Sequence, residues 1–247
     1  TKKQLSFPND PCHTQPLYRI MALRENRAVC AQGKYGDIMH TKEELAYLDH
    51  LETRLALCDA FEELMKMESI DKISVSKICQ QAGVSRATFY RIFQDKFEVV
   101  QWAIRYVHSK GADLIGKELT WEDGFYESEM AIVRHLDFFR EAAKSTDYNS
   151  LDLYTPRTRK TVLCATVTDC YHQKLTPKML FMIDAAINTE ITMFPRWHRG
   201  EYDCTLREMC SWVTECIPKE LYELLKEPLS KKEDPANFKH FLLGKGF

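Results

Sequence analysis

The sequence predicts an all-α protein, with a three-helix helix-turn-helix domain towards the N-terminus and a helical bundle domain after it. Three observations predict this. Apolar residues recur at spacings of three and four through most of the chain, the period of a helix with one buried side. Glycine and proline are sparse, nine of each in 247 residues, which suits long helices better than many short strands. Two short helical segments meet at Gly83-Val84-Ser85, the bare elements of a helix-turn-helix.

Residues 1–40 carry Pro8, Pro11, Pro16, Gly33 and Gly36 without a sustained period. They read as an irregular extension with a short helix near 17–28; a start at Met21 or Met39 is the alternative reading. From Lys42 a strong helix follows. Leu48, Leu51, Leu55, Cys58, Phe61 and Met65 form its buried stripe, and Glu52, Glu62, Glu63 and Lys66 its wet side. Ser74 is placed to N-cap a short helix that ends at Gly83. Ser85 caps the next, to about Phe93, and Asp95 caps a longer one carrying Phe97, Val100, Ile104 and Val107 on one side. Further helices are expected near 124–145, 150–173, 177–198 and 204–226, with Pro177 in a first turn and Thr205 as a cap. The resulting division is an extension at 1–40, a helix-turn-helix domain at 41–97, a helical domain at 98–227, and a charged tail at 228–247.

Hydrophobic residues make up 45% of the chain and charged residues 28%, the profile of a soluble globular protein. The net charge of -2 excludes binding of nucleic acid over the whole surface, so any such binding needs a local patch. One exists. Between Lys72 and Lys96 lie five basic residues, Lys72, Lys77, Arg86, Arg91 and Lys96, against the single acid Asp95, a net of +4. No stretch reaches the roughly 18 apolar residues of a membrane helix, and no compact apolar run of a secretion signal opens the chain, so a cytoplasmic location is expected.

Nine cysteines without a CxxC pair argue for reduced thiols. Cys164 and Cys170 are six residues apart, as are Cys204, Cys210 and Cys216. On a helix such residues point about 240° apart, so no metal site is expected. Buried structural cysteine is the first reading and a redox-sensing thiol the second. There is no GxSxG, P-loop, HExxH or GxGxxG, and neither an enzyme nor a bound cofactor is expected.

Each position of the two short helices has a readable role. Val75, Ile78, Cys79, Ala82, Val84, Phe89 and Ile92 form an apolar wedge. Gly83 supplies the positive φ of the turn. Ser85, Arg86, Thr88, Tyr90 and Arg91 are left facing outward, all hydrogen-bond donors of the kind used on phosphates and base edges.

The stretch ISVSKICQQAGVSRATFYRIFQDKFEVV resembles the DNA-binding motif of TetR/AcrR-type bacterial repressors. Matching positions are Val75, Ile78, Ala82, Gly83, Val84, Ser85, Thr88, Phe89, Tyr90, Phe93, Asp95 and Lys96, and the resemblance covers about residues 42–105. It implies that the second short helix enters the major groove, with Arg86 and Thr88 as base readers and Tyr90 and Arg91 on phosphate or base. It implies phosphate contacts for Ser74 and Ser76 from the first short helix and for Lys96 from the helix after, with Thr41 and Lys42 adding one from the first helix. Arg91-Ile92 departs from the pattern, where many members carry a second aromatic residue or a histidine.

A short recognition helix reads only a few base pairs, so a homodimer on a palindromic double-stranded operator is expected. Ile183, Ile187 and Ile191 with Trp212, Ile217 and Leu221 are the candidate pairing residues. As the resemblance implies, two helices from each chain would make a four-helix interface. It also implies a pocket for a small-molecule effector. Its candidate lining is Trp102, Tyr106, Phe125, Phe138, Tyr154, Tyr171 and Phe181, each of which as a single residue reads more readily as core. The expected function is a dimeric repressor released by that effector. The alternative is a coactivator of the same type, or a DNA-bound interaction protein, without a small-molecule ligand.

Overall fold

The computed structural model describes residues 42–145 and 151–231. The expected extension at 1–40, Thr41, the side chains of residues 42–49 and the tail beyond residue 231 lie outside the described residues. No β-strand forms among the described residues, and the all-α expectation holds. The helices are α1 (Lys42–Met65), α2 (Val75–Ala82), α3 (Arg86–Ile92), α4 (Lys96–Ser109), α5 (Trp121–Arg134), α6 (Leu136–Ala142), α7 (Leu151–Ala165), α8 (Pro177–His198), α9 (Leu206–Glu215) and α10 (Lys219–Leu225). The chain forms two compact units. The first runs up to Ala103 and takes back Arg134–Leu151; the second holds Ile104–Val133 and the chain from Asp152 on. The division therefore falls inside α4, and the expected domain boundary at residue 97 lies within the first unit.

In the first unit the expected stripe of α1 is buried: Leu51, Leu55, Cys58, Phe61 and Met65 all point inward. They share a core with Ile70, Ile73, Ile78, Phe89, Phe93, Val99 and Val100. Phe97, expected on the buried side of α4, is only half-buried, and Val99 and Ala103 take its place. Phe138 of α6 closes the core edge-on to Phe61 with ring centres 6.3 Å apart, and His135 lies 3.2 Å from the Glu62 carboxylate. The single helix expected at 124–145 is thus two. His135, at φ -126° and ψ 32°, breaks it, where the chain leaves one unit for the other.

In the second unit Trp121, Phe125 and Phe194 pack in series, with ring centres 5.8 and 5.5 Å apart. The turn after α4 lies directly on α5. Ala112 N donates to Ser128 Oγ at 2.7 Å, and a Cβ on Gly111 would stand 2.5 Å from the Gly124 carbonyl oxygen. Only glycine allows that approach. The expected helix at 150–173 gives way to a wider π turn at Thr166–Cys170. The one expected at 204–226 is interrupted between Glu215 and Lys219. Pro218 is the cause: it has no N–H to give and biases Ile217 away from helical geometry. The expected helix at 177–198 appears with those bounds, capped by Thr176, whose hydroxyl accepts from Met179 N at 3.1 Å.

Buried charge pins this unit. Arg159, 1% exposed, donates from Nε and Nη2 to the two oxygens of Glu190 at 2.9 and 3.1 Å, and from Nη1 to Asp113 at 2.8 Å. His198 Nε2 and Glu129 Oε2 meet at 2.8 Å, both buried. Burial pushes the Glu129 carboxyl up, with the His198 interaction opposing it. Burial and the nearby Arg159 charge hold the His108 imidazole below its ordinary value.

Candidate nucleic-acid interface

The interface is built by α2, α3 and the turn between them. Ser74 Oγ accepts from Lys77 N at 3.3 Å and starts α2. Gly83, at φ 67° and ψ 26°, ends it. Val84 N donates to Cys79 O at 2.9 Å and Gly83 N to Gln80 O at 3.3 Å, the paired bonds of a Schellman motif. Ser85 Oγ then accepts from Thr88 N at 3.0 Å and starts α3. Each local signal in the sequence has its expected partner.

Phe89 is fully buried, with Phe93 5.8 Å away. Burying such a ring contributes about 1.5–3 kcal/mol, enough to fix which side of a two-turn helix faces out. That side presents Ser85, Arg86, Ala87, Tyr90 and Arg91. The Arg86 guanidinium rests 5.9 Å from the Tyr90 ring centre, and Tyr90 is 51% exposed. On α2, Ser76, Lys77, Gln80 and Gln81 are exposed, as is the cap Ser74. Lys77 is held by Glu68 at 2.7 Å.

Two residues of the expected set sit differently. Thr88, expected as a base reader, is half-buried, and its Oγ1 lies 2.9 Å from Ser85 Oγ, turned into the cap. Lys96, expected on phosphate, donates its ammonium to the carbonyl oxygens of Ile70, Asp71 and Ile73 at 2.7, 2.9 and 3.0 Å. The partner of Thr88 lies three residues back at capping distance, whereas those of Lys96 lie more than twenty residues back and are not readable from spacing. Conversely, Ala87 and Gln81 share the exposed side but fall outside the expected set. Ala87 has no polar group to flag it, and Gln81 reads as ordinary helix surface.

With this geometry in place, comparison with known proteins decides the type of domain. The family described as bacterial regulatory proteins, tetR family, matches residues 57–101. This head is a TetR-family helix-turn-helix. The HTH-type dhaKLM operon transcriptional activator DhaS of Lactococcus lactis subsp. lactis (strain IL1403) is 32% identical over 85 residues. That match takes in 34% of this chain and 43% of the relative, so less than half of the relative's length is spanned. A solved structure, the dihydroxyacetone kinase operon activator DhaS, superposes with a TM-score of 0.51 at 17% identity, covering 72% of this chain and 99% of that one. The likeness in fold therefore extends well past the TetR-family head.

The expected effector residues divide between the two units. Trp102 and Phe138 belong to the first unit, Trp102 beside Phe93 and Arg54, Phe138 between Phe61 and Phe139. Phe125 is core of the second unit, Tyr106 and Tyr154 are half-buried there, and Phe181 is 72% exposed. The Tyr171 hydroxyl donates to Gly116 O at 2.7 Å. Bulk and aromaticity mark residues that bury area, as Phe125 and Phe138 do, each in the core of its own unit; Phe181 does not.

The expected pairing residues also need correction. Ile183, Ile187, Ile217 and Leu221 are buried within their own chain. Ile191 is half-buried, and Trp212, 47% exposed, remains on the surface. Beside Trp212, Met193, Tyr202, Met209, Val213 and Cys216 line an open apolar groove. Among the described residues no helix is long and apolar enough to cross a membrane, and no three His, Cys, Asp or Glu side chains gather as a metal ion would require.

Proposed function

We propose that this protein is a transcriptional regulator that binds double-stranded DNA as a homodimer, with α3 in the major groove. The observation that carries the reading is the exposed side of α3. Arg86, Tyr90 and Arg91 project from a helix locked by Phe89, in a stretch of net positive charge within a chain of net negative charge. Arg86 suits a guanine edge, while Arg91, Ser74, Ser76 and Ser85 suit phosphate. The exposed Trp212 and Phe181 and the groove beside Trp212 support a pairing face on α8 and α9. A cytoplasmic site of action goes with this reading. Selection of bound duplexes from a random pool tests it: a recovered palindrome supports the reading, and no enrichment overturns it.

Two readings of regulation differ in sign. In the first, the protein is a repressor released by a small effector. In the second it activates, working through a protein contact without a ligand in its core. The activator role in the name of the Lactococcus relative supports the second. Transcript profiling of a deletion strain separates them. A fall in a neighbouring transcript marks an activator; a rise marks a repressor.

A further inference from the structure

We propose that Lys96 is a positioning residue, one that holds the turn before α2 in place for DNA contact and does not itself bind phosphate. The inference rests on the DNA-binding reading of the head. Lys96 is the first residue of α4, and its chain reaches back 23 to 26 residues to the 3-10 turn Ile70–Lys72 and the residue after it. An ammonium has three donors and no acceptor. Here three carbonyl oxygens, those of Ile70, Asp71 and Ile73, converge on it within 3.0 Å.

The turn it grips is consequential. Ile70 and Ile73 are fully buried pegs on either side of it, and Ser74, the cap of α2, is the next residue. The end of a short helical turn leaves carbonyl oxygens short of backbone donors. Ile70 O accepts from Ile73 N at 3.3 Å, and a cation that collects this oxygen together with those of Asp71 and Ile73 fixes where the following helix begins. A second tie acts on the same turn: Ser145 Oγ donates to Asp71 Oδ1 at 3.0 Å. A DNA phosphate seeking Lys96 must take it from three carbonyl partners, whereas Arg86 and Arg91 already face outward.

The full chain carrying Lys96→Met, and separately Lys96→Gln, tests this. Amide hydrogen exchange is followed over residues 73–84, and binding is measured across a salt series on the duplex selected from the random pool. The expected result is exchange at least tenfold faster in that stretch, with affinity down several-fold and the salt dependence unchanged. Unchanged exchange with a salt slope shallower by about 0.9 for each phosphate no longer neutralised would overturn the proposal and make Lys96 a phosphate ligand. If both variants fail to fold, the bracket is supported, because removing a cation that faces only DNA leaves the fold intact. If the native chain selects no duplex, the DNA reading falls while the exchange comparison still decides the bracket.

Discussion

The two units place charge in opposite ways. In the first, cations stand on the surface over an apolar anchor: Arg86 and Arg91 lie outside, Phe89 inside. In the second, charge is carried inward, where Arg159 lies between Glu190 and Asp113 and His198 meets Glu129. Surface cations are available to a ligand and perturb the fold little. Buried ones are committed to internal partners, and removing either member leaves an uncompensated charge. Arginine therefore stands outward on α3 in the first unit and is committed to internal partners at Arg159 in the second.

That contrast is open to direct attack, and the largest effect is expected inside the second unit. Arg159→Met should destabilise it by about 3–5 kcal/mol, because Glu190 is left without both of its bonds in a buried setting. Arg159→Met with Glu190→Met together should recover much of that stability in denaturant melts. A double variant as unstable as the single would mean the charges were not the cause. On the surface of the first unit, Arg86→Ala should cost about 1–3 kcal/mol of binding to the selected duplex, with stability moved by no more than about 0.5 kcal/mol. Equal weakening on selected and random DNA would reassign Arg86 to phosphate.

Gly83→Ala tests the geometry that aims α3. The residue has open space around it but sits at φ 67°, where a Cβ costs about 1–2 kcal/mol. Melting and binding should both weaken, and an unchanged melt would deny the strain. Smaller still is a pH effect. His108 is held below its ordinary value of 6.5 in the folded state. The unfolded chain then takes up the proton first, so stability falls as pH drops below about 6.5. His108→Gln should flatten that part of the stability–pH curve, and an identical curve would remove His108 from the account.

The punctuation of the fold was legible in the sequence. Ser74, Gly83, Ser85 and Asp95 each act within three or four residues along the chain, and each does in the structure what its type and position suggest. Stripes were legible only in part. The spacing of Ile183, Ile187 and Leu221 says that they are buried, and they are; spacing does not say whether the cover comes from the same chain or a second one. Lys96 was harder still. Its partners lie more than twenty residues back and are backbone atoms, so no side-chain pattern announces them. Pro218 was a readable break that the apolar period of 204–226 concealed.

The helix α4 begins in one unit and ends in the other, the division passing between Ala103 and Ile104. Helical turns are easy to extend and hard to restart. Unravelling either half therefore strips the support from the turns of its continuation. Heat should find one calorimetric transition in this protein where two separate domains would give two. A mutation that softens the core around Trp121 would then be felt as a lower melting temperature in the recognition helix, with no change in the recognition residues themselves.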